Sequence, residues 1–86
     1  MGDYMKLHYT DEQIERAVDV LFTEYVILNL YWRYNAKGKF WLVHIRVWGN
    51  KQLQYTFYSK KEANLFIRLI GERAKNETYN IRYDKM

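Results

Sequence analysis

The chain has 86 residues, no cysteine and no proline, and it carries a net charge of +4 at neutral pH. This length predicts one domain with a single core. The lack of cysteine excludes disulfides and thiolate metal sites and predicts a reducing, cytoplasmic location. The sequence also predicts neither a signal peptide nor a membrane span, because no basic-then-apolar leader and no long uncharged stretch is present.

Charge is distributed unevenly along the chain. Residues 1–25 hold six acidic and two basic residues, a net charge of −4, whereas residues 26–86 hold four acidic and twelve basic residues, a net charge of +8. No acidic residue occurs between Glu24 and Glu62. A basic segment of this kind favours phosphates or an acidic protein as a partner.

The first quarter of the chain predicts an arm followed by an acidic helix. Residues 1–9 are predicted to form an arm or a short strand, because Met5, Leu7 and Tyr9 alternate. Residues 10–25 are predicted to be helical, because apolar residues recur at helical spacing between charged ones. Thr10 with Gln13 three residues later is the pattern of a capping box at the helix start.

Residues 26–58 are predicted to form a three-stranded antiparallel meander, because apolar residues recur at every second position. In the first strand Val26, Leu28, Leu30, Trp32 and Tyr34 share one face. Asn35 to Gly38 predicts a hairpin turn in which Gly38 takes a positive φ, and Gly49 to Lys51 predicts a second turn. Trp41, Val43, Ile45 and Val47 then share one face of the second strand, and Leu53, Tyr55 and Phe57 share one face of the third.

Residues 59–76 predict a second helix and residues 78–83 a short edge strand. Ser59 and Glu62 have capping-box spacing, and Ala63, Phe66, Ile67, Ile70 and Ala74 form an apolar stripe facing the sheet. Leu65 and Leu69 lie on another side of this helix and are expected to meet the first helix. The predicted fold class is α+β, a single domain over residues 1–86 with the order α-β-β-β-α-β.

The sheet face turned away from the predicted core is the candidate binding surface. It combines arginine, amide and aromatic side chains with no acid, namely Asn29, Tyr31, Arg33, Phe40, Leu42, His44, Arg46, Trp48, Gln52, Gln54, Thr56 and Tyr58. Arginine and amide groups can bind base edges, and aromatic rings can stack on bases. The alternative is that the first helix covers this face and its aromatic residues form a second core.

The sequence offers little support for catalysis, and we predict no enzyme activity, metal or cofactor. Ser59 is explained as a helix cap, and no nucleophile-elbow or phosphate-loop motif is present. His8 and His44 lie far apart in the chain and form no ligand motif.

Three short motifs carry a resemblance to a known family. Lys37 to Trp41, Val43 to Arg46 and the run Phe57 to Ala63 resemble the three-stranded-sheet DNA-binding domain found at the N-terminus of phage and transposon tyrosine integrases. The resemblance covers residues 31–67, and no recombinase domain follows. It implies that a three-stranded sheet enters the DNA major groove and that the DNA-facing residues are Arg33, Phe40, His44, Arg46, Gln54 and Thr56.

A second, weaker resemblance is to the double-stranded RNA-binding domain. The order of helix, three strands and helix, with Ser59 to Ala63 opening the second helix, is similar to that family. The chain departs from the family pattern at Asn64, Leu65 and Phe66, where the family has small residues and another lysine.

Two functional hypotheses follow from these features. The first is a small non-enzymatic nucleic-acid-binding protein of phage or mobile-element type, which binds double-stranded DNA in preference to RNA. Its phosphate contacts would come from Lys37, Lys39, Lys51, Lys60 and Lys61, and its base contacts from the sheet face, including Trp48. The alternative is a protein-interaction module, such as a small phage-encoded inhibitor of a host protein, that docks an acidic partner. Either hypothesis is compatible with a homodimer formed through Leu65 and Leu69 or through an exposed strand edge.

Overall fold

The computed structural model describes residues 7–76 and the backbone of residues 82–85. The elements are α1 (Asp11–Glu24), β1 (Ile27–Asn35), β2 (Phe40–Val47), β3 (Lys51–Phe57), α2 (Lys60–Asn76) and β4 (Arg82–Lys85). The predicted α+β class and the order of the elements are confirmed.

The strands form one sheet in the order β3-β2-β1-β4. β1, β2 and β3 make the predicted antiparallel meander, and β4 adds a parallel edge beside β1. Residues 78–81 of the predicted edge strand lie outside the described residues, and the described strand begins at Arg82. Met5 also lies outside them, and Leu7 to Thr10 do not form a strand.

Both helices begin at side-chain caps. At α1 the predicted capping box is complete, because the Thr10 hydroxyl accepts the Gln13 amide at 3.1 Å and the Gln13 side chain accepts the Thr10 amide at 2.9 Å. At α2 only half of the box forms, with the Ser59 hydroxyl accepting the Glu62 amide at 3.4 Å. The Glu62 carboxylate instead accepts the backbone N–H of Tyr9 at 2.9 Å, which ties α2 to the segment before α1.

The predicted alternation holds along β2 and β3 but is wrong at the start of β1. The pairing of β1 with β2 is irregular between Ile27 and Asn29, which is the effect of a β-bulge. The extra residue in β1 moves the side chains that precede it to the opposite face of the sheet. Ile27 is therefore buried in the core, and Val26 and Leu28, which were expected to face the core, are exposed.

The first hairpin turn has the predicted position but a different backbone. The residue with positive φ is Lys39, at 58°, and not Gly38. Gly38 is needed for a different reason, because a Cβ atom at this position would lie 2.1 Å from the Phe40 ring. The turn is closed by the Asn35 side chain, which accepts the Gly38 amide at 2.8 Å. In the second turn Gly49 and Asn50 both have positive φ.

The two helices pack side by side on one face of the sheet, which we call the inner face. They run in the same direction, since Glu62 at the start of α2 bonds Tyr9 just before α1, and Arg73 near its end pairs with Asp19 at 2.6 Å. α1 also lies along β3, with Tyr9 against Phe57 at one end and Tyr25 against Lys51 at the other. The core joins residues of both helices to the inner face: Ile14, Val18, Leu21, Ile27, Leu30, Val43, Ile45, Val47, Phe57, Ala63, Phe66 and Ile70.

Candidate nucleic-acid interface on the outer sheet face

The opposite side of the sheet, the outer face, is covered by neither helix. Register pairing brings three rows of side chains together here, and Tyr31, His44 and Gln54 form the central row. The prediction left open that α1 covers this face and creates a second core, but α1 packs beside α2 on the inner face. The described members of the outer face are Asn29, Tyr31, Arg33, Phe40, Leu42, His44, Arg46, Gln52, Gln54 and Thr56.

Tyr31, His44 and Gln52 form a polar cluster at the centre of the outer face. The Tyr31 and His44 rings stack with centroids 4.6 Å apart and planes 11° apart. The Gln52 amide nitrogen donates to His44 Nδ1 at 3.0 Å and to the Tyr31 hydroxyl at 3.2 Å. With this amide orientation His44 Nδ1 is an acceptor, so the neutral imidazole carries its proton on Nε2.

His44 is an unusual residue on this face because it is only 8% exposed. Its Nε2 atom is buried and has no hydrogen-bond partner among the described residues. Burial, with a smaller contribution from the positive charge of Arg33, lowers the pKa of His44 below the usual 6.5. His44 is therefore neutral at pH 7 and holds an unsatisfied N–H donor, which costs roughly 1–3 kcal/mol until an acceptor reaches it.

Two exposed arginines flank this cluster. Arg33 is opposite Leu42, and Arg46 is opposite Gln52, so the guanidinium groups belong to the two rows on either side of His44. None of the described side chains of the outer face is acidic. At the sheet edge the backbone of Asp84 pairs with Tyr31 through β4. The arrangement favours a ligand rich in hydrogen-bond acceptors and negative charge.

Aromatic residues and turn lysines extend this surface at its ends. The Phe40 ring meets Tyr58 edge-on at 5.8 Å. Lys37 and Lys39 are exposed in the turn that precedes Phe40. Trp48, just after β2, is 73% exposed. The lysines at one end could contact a nucleic-acid backbone, and the exposed Trp48 ring at the other end could stack on a base.

Three of the predicted contact residues extend on the helix side of the sheet and not on the outer face. Lys51 places its ammonium 5.4 Å from the centre of the Tyr25 ring, and Lys60 lies 6.0 Å from the centre of the Trp41 ring on the inner face. Lys61 lines a groove between the two helices, together with Asp11 and Leu65. The structure thus brings Arg33, Phe40, His44, Arg46, Gln54 and Thr56 together with the hairpin lysines, but it separates Lys51, Lys60 and Lys61 from them.

Tyr31 and Gln52 were not among the predicted contact residues, although the alternation had placed both on this face. Their importance comes from pairing across strands, since Gln52 reaches a histidine eight residues earlier and a tyrosine twenty-one residues earlier. Alternation in the sequence placed both residues on the outer face, but it gave no reason to select them over their neighbours.

Comparisons with protein-family models, with curated proteins and with solved structures found no match to this chain. Among the described residues, neither helix has the length and apolar character needed to cross a membrane.

Proposed function

We propose that this protein is a small non-enzymatic nucleic-acid-binding protein that docks double-stranded DNA against its outer face. We propose further that it acts in the cytoplasm and is of phage or mobile-element type. The observation that supports this function best is a sheet face that neither helix covers and whose described side chains include Arg33, His44 and Arg46 and no acid.

The chemistry of this face fits the DNA major groove. Arginine can donate two hydrogen bonds to guanine O6 and N7, and amides such as Gln54 can bond adenine. The His44 Nε2–H would supply a further donor between the arginines. Because Nε2 is covered in the free protein, this contact forms only after neighbouring side chains move aside.

The hairpin lysines would supply phosphate contacts that do not depend on the DNA sequence. Lys37 and Lys39 are exposed and lie next to Phe40, where they can reach phosphates on either side of a groove. Such contacts position a protein on the duplex, while base contacts determine which sequence is bound.

A second candidate function is a protein-interaction module, such as an inhibitor of a host protein, and a specific feature favours it. The bulge in β1 exposes Val26 and Leu28, and the Trp48 amide donates to the Val26 carbonyl at 2.8 Å. Three apolar side chains are therefore exposed at one end of the sheet. Exposed apolar and aromatic groups of this kind anchor protein interfaces.

Fluorescence anisotropy with labelled duplex DNA, duplex RNA and single strands tests the first function. We expect micromolar or tighter binding to duplex DNA that weakens steeply as salt rises from about 50 to 200 mM. The slope of log affinity against log salt counts the phosphate contacts, at roughly 0.9 per contact. If no nucleic acid binds at low salt, the DNA function is rejected and the protein-interaction function replaces it.

A further inference from the structure

One end of the outer face carries an exposed tryptophan that the binding of paired bases does not explain. The Trp48 backbone N–H donates to the Val26 carbonyl at 2.8 Å, which continues the pairing of Ile27 with Val47 by one residue. Ile27 and Val47 face the core, so the next pair, Val26 and Trp48, faces the outer side. Trp48 is 73% exposed, the highest fraction among the large hydrophobic side chains that the structure describes.

The backbone on both sides of Trp48 fixes the place of its ring. Its N–H is held by Val26, and Gly49 and Asn50, which both have positive φ, form the turn directly after it. The ring therefore needs little further ordering of the backbone when a ligand stacks on it, which favours binding. Val26 and the bulge residue Leu28 add exposed apolar surface at the same end of the sheet.

The surroundings of this ring favour an unpaired base as its occupant. Both faces of each base pair in a duplex are covered by its neighbours, so a ring stacks on an unpaired base unless it forces two pairs apart. Arg46 precedes Trp48 by two residues, belongs to the same face and is exposed. A nucleotide presents a flat base to the ring and a phosphate to this guanidinium, whereas an uncharged apolar group would use the ring alone.

We infer that Trp48 stacks on an unpaired base beside the bound duplex, so that the preferred ligand is duplex DNA with a single-stranded overhang. This inference rests on the proposed function and names the class of DNA for it. The four residues from His44 to Trp48 span roughly 14 Å, so a few base pairs fit between the centre of the outer face and the ring. Paired bases then contact the arginines, and the first unpaired base meets Trp48.

Fluorescence anisotropy with two DNAs that differ only in their overhang bases tests this inference. Both contain the same duplex and an overhang of the same length. In one DNA the overhang carries adenines, and in the other it carries abasic sites, which keep the phosphates and remove the stacking surface. We expect the wild-type protein to bind the adenine overhang about fivefold more tightly or better, for a 5′ or a 3′ overhang, as for the gain of one stacked base.

Substitutions of Trp48 assign this preference to its ring. Trp48→Ala should abolish the preference for adenine over abasic overhangs, and Trp48→Phe should keep part of it, because a smaller ring still stacks. Tyr34→Ala is the matched control and should keep the preference, since Tyr34 is also an exposed aromatic residue but contacts Trp41 on the inner face. Circular dichroism should show that all variants are folded.

The outcomes separate this inference from the function on which it rests. Equal affinity of the wild type for the two DNAs, with either overhang, overturns the inference and leaves duplex binding in place. A preference for adenine that persists in Trp48→Ala also overturns it, because the base would then stack elsewhere. If neither DNA binds at low salt, both the inference and the DNA function are rejected, and the exposed apolar end of the sheet belongs to a protein interface.

Discussion

The imidazole of His44 stacks on the phenol ring of Tyr31, with ring planes only 11° apart. This stacking holds Nδ1 of the imidazole where the Gln52 amide can donate to it at 3.0 Å. The other nitrogen, Nε2, is left buried without a partner among the described residues. The pair thus keeps a neutral histidine with an unused donor at the centre of the outer face.

Replacing this histidine should not destabilise the protein. Phe in His44→Phe keeps a flat ring against Tyr31 and removes the unsatisfied donor. We expect the free energy of unfolding to stay within about 1 kcal/mol of the wild type or to rise, because removal of an unpaired buried N–H offsets loss of the Gln52 bond to Nδ1, and Gln52 still donates to the Tyr31 hydroxyl. Urea denaturation measures this, with Tyr31→Ala as the comparison that removes the stacking and should lower stability. A clear loss of stability in His44→Phe contradicts this prediction, since the Gln52 bond to Nδ1 would then outweigh the unpaired Nε2–H.

The stability of the protein should depend on pH through His44. Burial and Arg33 lower the pKa of this histidine below 6.5 in the folded state, so the unfolded chain binds its proton first. The stability that His44 contributes is therefore fully present above pH 6.5 and decreases as the pH falls toward the folded-state pKa. NMR titration of the imidazole and urea denaturation at several pH values test this. His44→Phe should lack this part of the pH dependence, and a His44 that titrates at or above 6.5 contradicts the prediction.

Two matched pairs of substitutions should identify the nucleic-acid surface. The double variant Arg33→Ala/Arg46→Ala removes two positive charges from the outer face. The double variant Lys60→Ala/Lys61→Ala removes two positive charges from the start of α2. If Arg33 and Arg46 contact base edges, the first pair should weaken binding by roughly 1–3 kcal/mol for each arginine and relax the preference for DNA sequence. The second pair should have a smaller effect. Anisotropy titrations compare them, and a larger loss from the lysine pair would move the interface to the start of α2.

The first hairpin should be sensitive to a methyl group at Gly38. In Gly38→Ala the new Cβ would meet the Phe40 ring at 2.1 Å, so the ring must turn away from Tyr58. We expect a loss of about 1 kcal/mol in the free energy of unfolding, as for mild overpacking. In a Phe40→Ala background the same substitution should cost almost nothing, since the clash is gone. An equal cost in both backgrounds, measured by urea denaturation, would point to the backbone as the cause.

The core should depend strongly on Phe66. Its ring is fully buried and packs against Tyr55 and Phe57, with centroids 4.8 and 5.2 Å away. Phe66→Ala should lower the free energy of unfolding by about 3–5 kcal/mol, which is a large part of the stability of a domain this small. Val20→Ala, at an exposed position, is the control and should change little. A loss under about 1 kcal/mol for Phe66→Ala would mean that the core refills the cavity.

Local patterns in the sequence were sufficient to predict the elements of this fold. The capping box of Thr10 and Gln13 and the apolar spacing after it predicted α1, and alternation predicted the two faces of β2 and β3. These signals are reliable because helices and strands repeat with fixed periods, and each buried face needs apolar residues at that period. The same alternation also placed Arg33, His44 and Arg46 on one face.

Other features depend on contacts between residues far apart in the chain, and the sequence alone could not decide them. The bulge that buries Ile27 and exposes Leu28 follows from how β1 pairs with β2. Whether α1 covers the outer face or lies beside α2 depends on which apolar surfaces meet, and both placements bury its apolar stripe. The sequence by itself determined the elements and which residues share a face. Only the tertiary structure decided that the outer face is free of helices and that Gln52 orients His44, because strand register and helix placement are set by long-range packing.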